Sequence, residues 1–132
     1  MAECNIICIS IIIERGFFMD SLRLEPKAKF VGHLNCITKL EQKCTNSQIF
    51  EGKKPNWIGT MVRVNERGTE LGTIAIAEFG TTIALYTDGN NQGIIELFMN
   101  ELDGCDRIIV FEEFARDLIK KHNHKNIEVI LE

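Results

Sequence analysis

Between Tyr86 and Leu102 the sequence reads YTDGNNQGIIELFMNEL, and its first half passes from a β-rich run into an apolar helical one. The junction is Asp88, Gly89, Asn90, Asn91, Gln92 and Gly93. A helix that starts there presents backbone N–H groups with no partner inside the helix, and such groups bind anions. Gly89 and Gly93 would let a phosphate approach the backbone closely. These six residues are therefore the expected ligand-binding stretch. The same letters also spell a plain turn, with Asp88 or Asn90 capping the helix and Gly89 taking a positive φ. No lysine in a phosphate-loop pattern follows them.

Other reactive side chains are scattered. His33 and Cys36 could pair as base and nucleophile, but no third group is placed to orient the base. His33, Cys36 and Cys44 could also be proposed as metal ligands, yet their intervals match no zinc pattern, so no metal site is expected. His122 and His124 stand among Lys120, Lys121 and Lys125, where a solvated helix end explains them better than a cation site does. Glu112 and Glu113 directly follow the run DRIIVF. Many α/β sites lie at such a strand end, and acids there equally favour the start of a following helix. Ser10, Ser21 and Ser47 are the only serines, and none sits in a nucleophile elbow. No catalytic residue is assigned. Trp57, Phe17 and Phe18 are the aromatic anchors expected at an interface if they are exposed.

Two resemblances meet at the glycine-containing loop. IALYTDGN resembles the first catalytic strand of ribonuclease H, where an Asp in a similar setting binds metal. That strand opens the ribonuclease H domain, whereas only 44 residues follow Asp88 here, so the architecture does not fit. Over about a third of the chain, NNQGIIELFMNEL, GCDRIIVF and FARDLIKKHNHKNIEVI resemble the last half of a GNAT acetyltransferase. That resemblance implies a turn at the start of the central helix whose N–H groups hold the pyrophosphate of acetyl-CoA. Gly93 matches the first glycine of the turn, Ile95 stands where the second belongs, and Asn90 replaces the usual leading Arg or Gln.

The elements that must position these groups are readable from periodicity. WIGTMVRV, LGTIAIAEF and TTIALYT are three β-type runs, separated by NERGTE and by a tight turn at Gly80, and they predict a central antiparallel meander over 57–87. Ile74 and Ile76 alternate with Thr73, Ala75 and Ala77, so one sheet face carries large groups and the other small ones. Before the meander, RLEPKAKFVGHL reads as an extended edge segment, since Pro26 cannot donate to a ladder. NCITKLEQKCTNSQIF then predicts a short helix with Ile37, Leu40 and Cys44 on one face and Asn35 as cap.

After the meander the rhythm becomes helix, strand, helix, strand. Ile94, Ile95, Phe98 and Leu102 share one helical face, widened by Leu97 and Met99. EEFARDLIKKHNH predicts a helix with Phe114, Leu118 and Ile119 inward, acids in its first turn and Lys120, Lys121 and His122 in its last. NIEVILE closes as a strand. The fold class is α+β, an antiparallel or mixed sheet packed on one face by two or three helices.

At 132 residues, with 45% hydrophobic and 26% charged residues, the chain is expected to form a single domain over 1–132 with a core that needs no staples. The run NIICISIII, Asn5 to Ile13, falls short of the ~20 residues that span a bilayer and lacks a basic flank, so a buried strand is expected rather than a membrane anchor. Residues 1–18 read as that first strand or as an extension ahead of Met19 if Met19 rather than Met1 is the start. A net charge of −4 without a basic block argues against a nucleic-acid partner. Five cysteines without a paired motif predict a reducing, cytoplasmic setting. No cofactor is expected. The expected role is that of a non-catalytic accessory or regulatory protein acting through a protein or small-ligand interface and self-associating as a homodimer or larger homo-oligomer. The alternative is a GNAT-like acyltransferase or a sensor that binds a CoA- or nucleotide-type anion at 88–93.

Overall fold

The alternation in the meander decides the architecture. In the computed structural model, which describes residues 21–25, 31–64, 67, 70–87 and 92–132, Ile74 and Ile76 point to one side of the sheet and Ala75 and Ala77 to the other. The same split continues in the neighbouring strands, with Ile83, Leu85, Ile108 and Val110 on the first side and Ala84, Tyr86 and Ile109 on the second. Each side therefore supports a core of its own.

Six strands form one sheet in sequence order. They are β1 (Ser21–Glu25), β2 (Trp57–Val64), β3 (Glu70–Phe79), β4 (Thr82–Thr87), β5 (Arg107–Val110) and β6 (Glu128–Leu131). Strands β1 to β4 pair antiparallel, whereas β5 is parallel to β4 and β6 is parallel to β5. The predicted meander is present as β2, β3 and β4, and the turn between β3 and β4 is made at Gly80, whose φ of 64° suits a residue without a Cβ. Parallel neighbours need long crossovers. Two helices supply them, α2 (Gln92–Glu101) between β4 and β5 and α3 (Glu113–Lys121) between β5 and β6.

Both crossover helices pack on the large-residue face. Ile94, Ile95, Phe98, Met99 and Leu102 are buried there against Met61, Ile74, Ile76 and Leu85, with Leu97 partly buried at the margin, as their helical spacing predicts. Removing a side chain such as Phe98 from water stabilises the fold by roughly 1.5–3 kcal/mol. Helix α3 turns Ala115 and Ile119 inward, with Leu118 partly buried beside them. Phe114 departs from the expectation. It is 41% exposed, because the buried stripe follows the i, i+4 pair Ala115 and Ile119 and leaves Phe114 one residue off that line. The charges of α3 agree with its dipole, Glu113 in the first turn and Lys120 and Lys121 in the last.

The small-residue face is covered by α1 (Val31–Thr45), which lays Cys36, Leu40 and Cys44 across Ala75, Ala77 and Ala84. Small side chains on the sheet let the helix approach closely, so this face is closed from within the chain. Helix α1 begins four residues before Asn35, so Asn35 lies inside it rather than capping it, and Val31 to Leu34 are helical rather than extended. Packing of the Cys36, Leu40 and Cys44 stripe outweighs the local capping signal. Ile37, expected inward, is only half-buried because the i, i+4 stripe excludes it. Strand β1 is an edge strand and ends at Glu25, directly before Pro26. The apolar run 5–13, Phe17, Phe18 and Met19 lie outside the described residues.

Candidate functional site

At the carboxyl ends of the parallel strands the hydrogen-bond ladders stop at different places. The β4–β5 ladder ends at the pair Ala84 and Ile109 while β4 runs on to Thr87, and the β5–β6 ladder continues to Val110 and Leu131. A cavity of about 540 Å³ lies at this end, on the α1 side of the sheet. Tyr86 of β4, Phe111 and Glu112 after β5, and Glu132 after β6 line it from the sheet. Lys39, Gln42, Lys43, Asn46 and Ser47 line it from α1 and the turn that follows.

Helical spacing explains the α1 contribution. Lys39 and Lys43 are one turn apart, on the flank of the helix next to the buried Leu40 and Cys44. Their ammonium groups lie over aromatic faces, Lys39 Nζ 5.7 Å from the Tyr86 ring centre and Lys43 Nζ 5.9 Å from that of Phe111. Each contact is worth roughly 0.5–1 kcal/mol at an exposed site. They hold the stems of the two lysines against the rings and keep the cavity walls in place.

Two carboxylates balance the two lysines, and they are used differently. Glu132 is fully engaged, accepting a hydrogen bond from the Ser47 hydroxyl on one oxygen and one from the Gln48 N–H, at 2.8 Å, on the other. Ser47 Oγ in turn accepts from the N–H groups of Ile49 and Phe50 at 3.1 and 3.3 Å, so Glu132 fixes the turn after α1. Glu112 is only half engaged. Its Oε1 lies 3.5 Å from Lys43 Nζ, and its Oε2 is buried with no hydrogen-bond partner. Glu112 is also the residue at the N-cap of α3, yet its side chain makes no capping bond. The short side chains of Asp, Asn, Ser and Thr ordinarily cap at this position, and the longer Glu112 does not. Its side chain is part of the cavity lining.

Beneath this site Cys44 is buried, and burial, with smaller contributions from the carboxylates of Glu132 and Glu41, lifts its thiol from 9.0 to about 12. At neutral pH it is a protonated apolar filler rather than a nucleophile or metal ligand. Cys36 is buried beside the same helix stripe, and His33 lies one turn before it in α1.

The loop read first in the sequence is placed elsewhere. Asp88, Gly89, Asn90 and Asn91 lie outside the described residues, Gln92 opens α2, and Gly93 follows in its first turn. The guanidinium of Arg63 in β2 lies directly against Gly93, where an added Cβ would stand 2.6 Å from Arg63 Cζ. Trp57, at the start of β2, is half-buried against the core beneath α2 and α3, which is the core reading of that anchor. Glu113 is exposed, His122 ends α3 as its C-cap, and His124 is exposed. Of the residues singled out in the sequence, the cavity takes Glu112 and Ser47. Lys39, Lys43, Tyr86 and Phe111 were not legible as a set, since they meet only through the strand order.

Among the described residues no helix is long and apolar enough to cross a membrane. No protein-family model, curated protein or solved structure matches the chain.

Proposed function

We propose that this chain is a small-molecule-binding domain whose ligand occupies the cavity at the carboxyl ends of β4, β5 and β6. The observation that carries the proposal is Glu112, which makes no capping bond to α3, lines a cavity walled by Tyr86 and Phe111, and keeps one oxygen buried without a hydrogen-bond partner. A buried acceptor without a donor costs about 1–3 kcal/mol, a cost that a bound hydrogen-bond donor would remove. Two lysines and two glutamates give the lining no net charge. The ligand class is therefore a neutral or zwitterionic planar molecule with at least one donor, of the kind represented by an aromatic amino acid or a nucleoside. Ligand sites in sheets with parallel strands fall at this end for a geometric reason, because helices and strands diverge there. No catalytic step is part of this reading.

Calorimetric titration with tryptophan, tyrosine and adenosine tests it. At least one should bind the wild-type chain, and Glu112→Gln should weaken that binding roughly tenfold, the equivalent of about 1.4 kcal/mol. Binding unaffected by Glu112→Gln would move the site away from this cavity.

A second reading, acyl transfer of the GNAT kind, has its own support. A meander followed by a helix, a parallel strand and a second helix is the order its resemblance implies, and the early end of the β4–β5 ladder leaves space between two parallel strands. The N-terminus of α2, where Gly93 lies against Arg63, carries a partial positive charge that favours an anion such as the pyrophosphate of CoA. Stabilisation by acetyl-CoA in a thermal-shift measurement, lost in Gly93→Asp, would support it, and no shift would remove it.

A further inference from the structure

A second cavity, of about 400 Å³, lies at the opposite end of the sheet, where β4 and β5 begin. Lys53 and Lys54, from the loop after α1, and Arg107, the first residue of β5, all line it. No carboxylate lines this cavity, and among the described residues none of the three cations forms an ion pair. That grouping is unexpected in a chain of net charge −4. Like charges brought together repel, so an unneutralised cluster of this kind is a local cost that an anion would relieve.

The neighbouring groups leave the cations available. Arg107 donates through Nε to the Thr82 hydroxyl at 3.3 Å, which fixes the plane of its guanidinium and leaves the two terminal nitrogens for another acceptor. Glu128 stands opposite Arg107 in the β5–β6 register but is exposed and does not line the cavity, and Glu78 is buried. It accepts from Asn56 Nδ2 at 2.8 Å, while Asn56 Oδ1 accepts from the Gly80 N–H at 2.9 Å. Asn56 is thus spent on shaping the wall. The cavity also has an apolar side, where Phe50 and Phe79 stack with ring centres 4.1 Å apart and an interplanar angle of 22°.

We infer that this second cavity binds an organic phosphate, its phosphoryl oxygens held by Arg107, Lys53 and Lys54 and its planar body resting against Phe79. Arginine recognises phosphate through its planar fork and the lysines add point charges. The ring makes a compound such as a nucleoside diphosphate fit better than a bare anion. This inference is independent of the ligand proposed for the first cavity.

Calorimetric titration of the full chain with ADP, inorganic pyrophosphate and adenosine separates the two contributions. ADP should bind, pyrophosphate should bind more weakly, and adenosine should show no binding that depends on these cations. The exposed pair change Lys53→Glu with Lys54→Glu should weaken ADP roughly tenfold or more, as should Arg107→Gln, with circular dichroism showing each variant folded. Raising ionic strength from about 0.1 M to about 1 M, where the Debye length falls from about 10 Å to about 3 Å, should weaken it further. Failure of ADP to bind, or ADP binding unaltered by both the lysine pair and Arg107→Gln, would overturn the inference. Equal affinity for ADP and pyrophosphate would overturn its aromatic part.

Discussion

Glu112→Met should make the unliganded protein more stable, an unusual direction for a substitution at a partly buried residue. The carboxylate keeps one oxygen 3.5 Å from Lys43 and buries the other without a partner. Replacing it with an apolar chain of similar length removes the unsatisfied acceptor, a gain of about 1–3 kcal/mol. Against that stand the loss of the Lys43 pair, whose lysine is 39% exposed and which is worth at most about 1 kcal/mol, and the loss of a negative charge near the start of α3, worth about 0.3–1 kcal/mol. The balance favours the variant by about 1 kcal/mol, or a rise in Tm of about 4 °C for a chain of this size. Lys43→Met should act in the opposite direction, since it leaves both oxygens of Glu112 without a cation. Urea denaturation and scanning calorimetry on the two variants read both signs. A fall in Tm with Glu112→Met would mean that the carboxylate is satisfied where it stands and that no ligand is needed to complete it.

Two further outcomes test the frame around the site. Leu40→Ala, at a fully buried position between α1 and the alanine face of the sheet, should destabilise by about 2.7–5 kcal/mol in urea denaturation, and a loss below about 1 kcal/mol would mean that α1 is not docked there. The raised pKa of Cys44 predicts a pH dependence with a definite sign. Its folded value of about 12 lies above its ordinary 9.0, so the stability it contributes is fully present below pH 9 and is lost as pH rises towards 12. Urea denaturation at pH 8 and pH 10 should show the wild type losing up to about 1.4 kcal/mol more than Cys44→Ala, and equal losses would contradict the burial assigned to this thiol.

Much of the fold was legible because its signals are local. The alternation of Ile74 and Ile76 with Ala75 and Ala77 announces a sheet with two unlike faces, and the spacing of Ile94, Phe98 and Leu102 announces the helix that covers the larger one. The start of α1 was misplaced because Asn35 looks like a cap, whereas the stripe from Cys36 to Cys44 holds the helix to the sheet regardless of it. Phe114 was misplaced by one position for a related reason, since Ala115 is a weak hydrophobic signal and yet sets the buried line with Ile119.

The first cavity was largely illegible. Lys39 and Lys43 resemble any solvated helix flank, and Tyr86 and Phe111 resemble strand residues, until β4 and β5 become neighbours. Glu112 was visible as one of two readings, a strand-end acid or a helix-start acid, and only side-chain geometry separates them. The cationic cavity was equally hidden, because Lys53 and Lys54 are separated from Arg107 by more than fifty positions and meet it through the strand order alone. The Asp88 to Gly93 stretch stood out by its letters, whereas Gly93 contributes to the described structure by leaving room for Arg63.

The proposed ligand, planar and neutral or zwitterionic, would sit between Tyr86, Phe111 and Glu112. The most direct test is a titration of uniformly labelled protein with tryptophan, tyrosine and adenosine, followed by amide chemical shifts. Shift changes should concentrate at Tyr86, Phe111, Glu112 and Lys43 with at least one compound, and should be lost in Glu112→Gln. Changes confined to other parts of the chain, or none with any of the three, would contradict it.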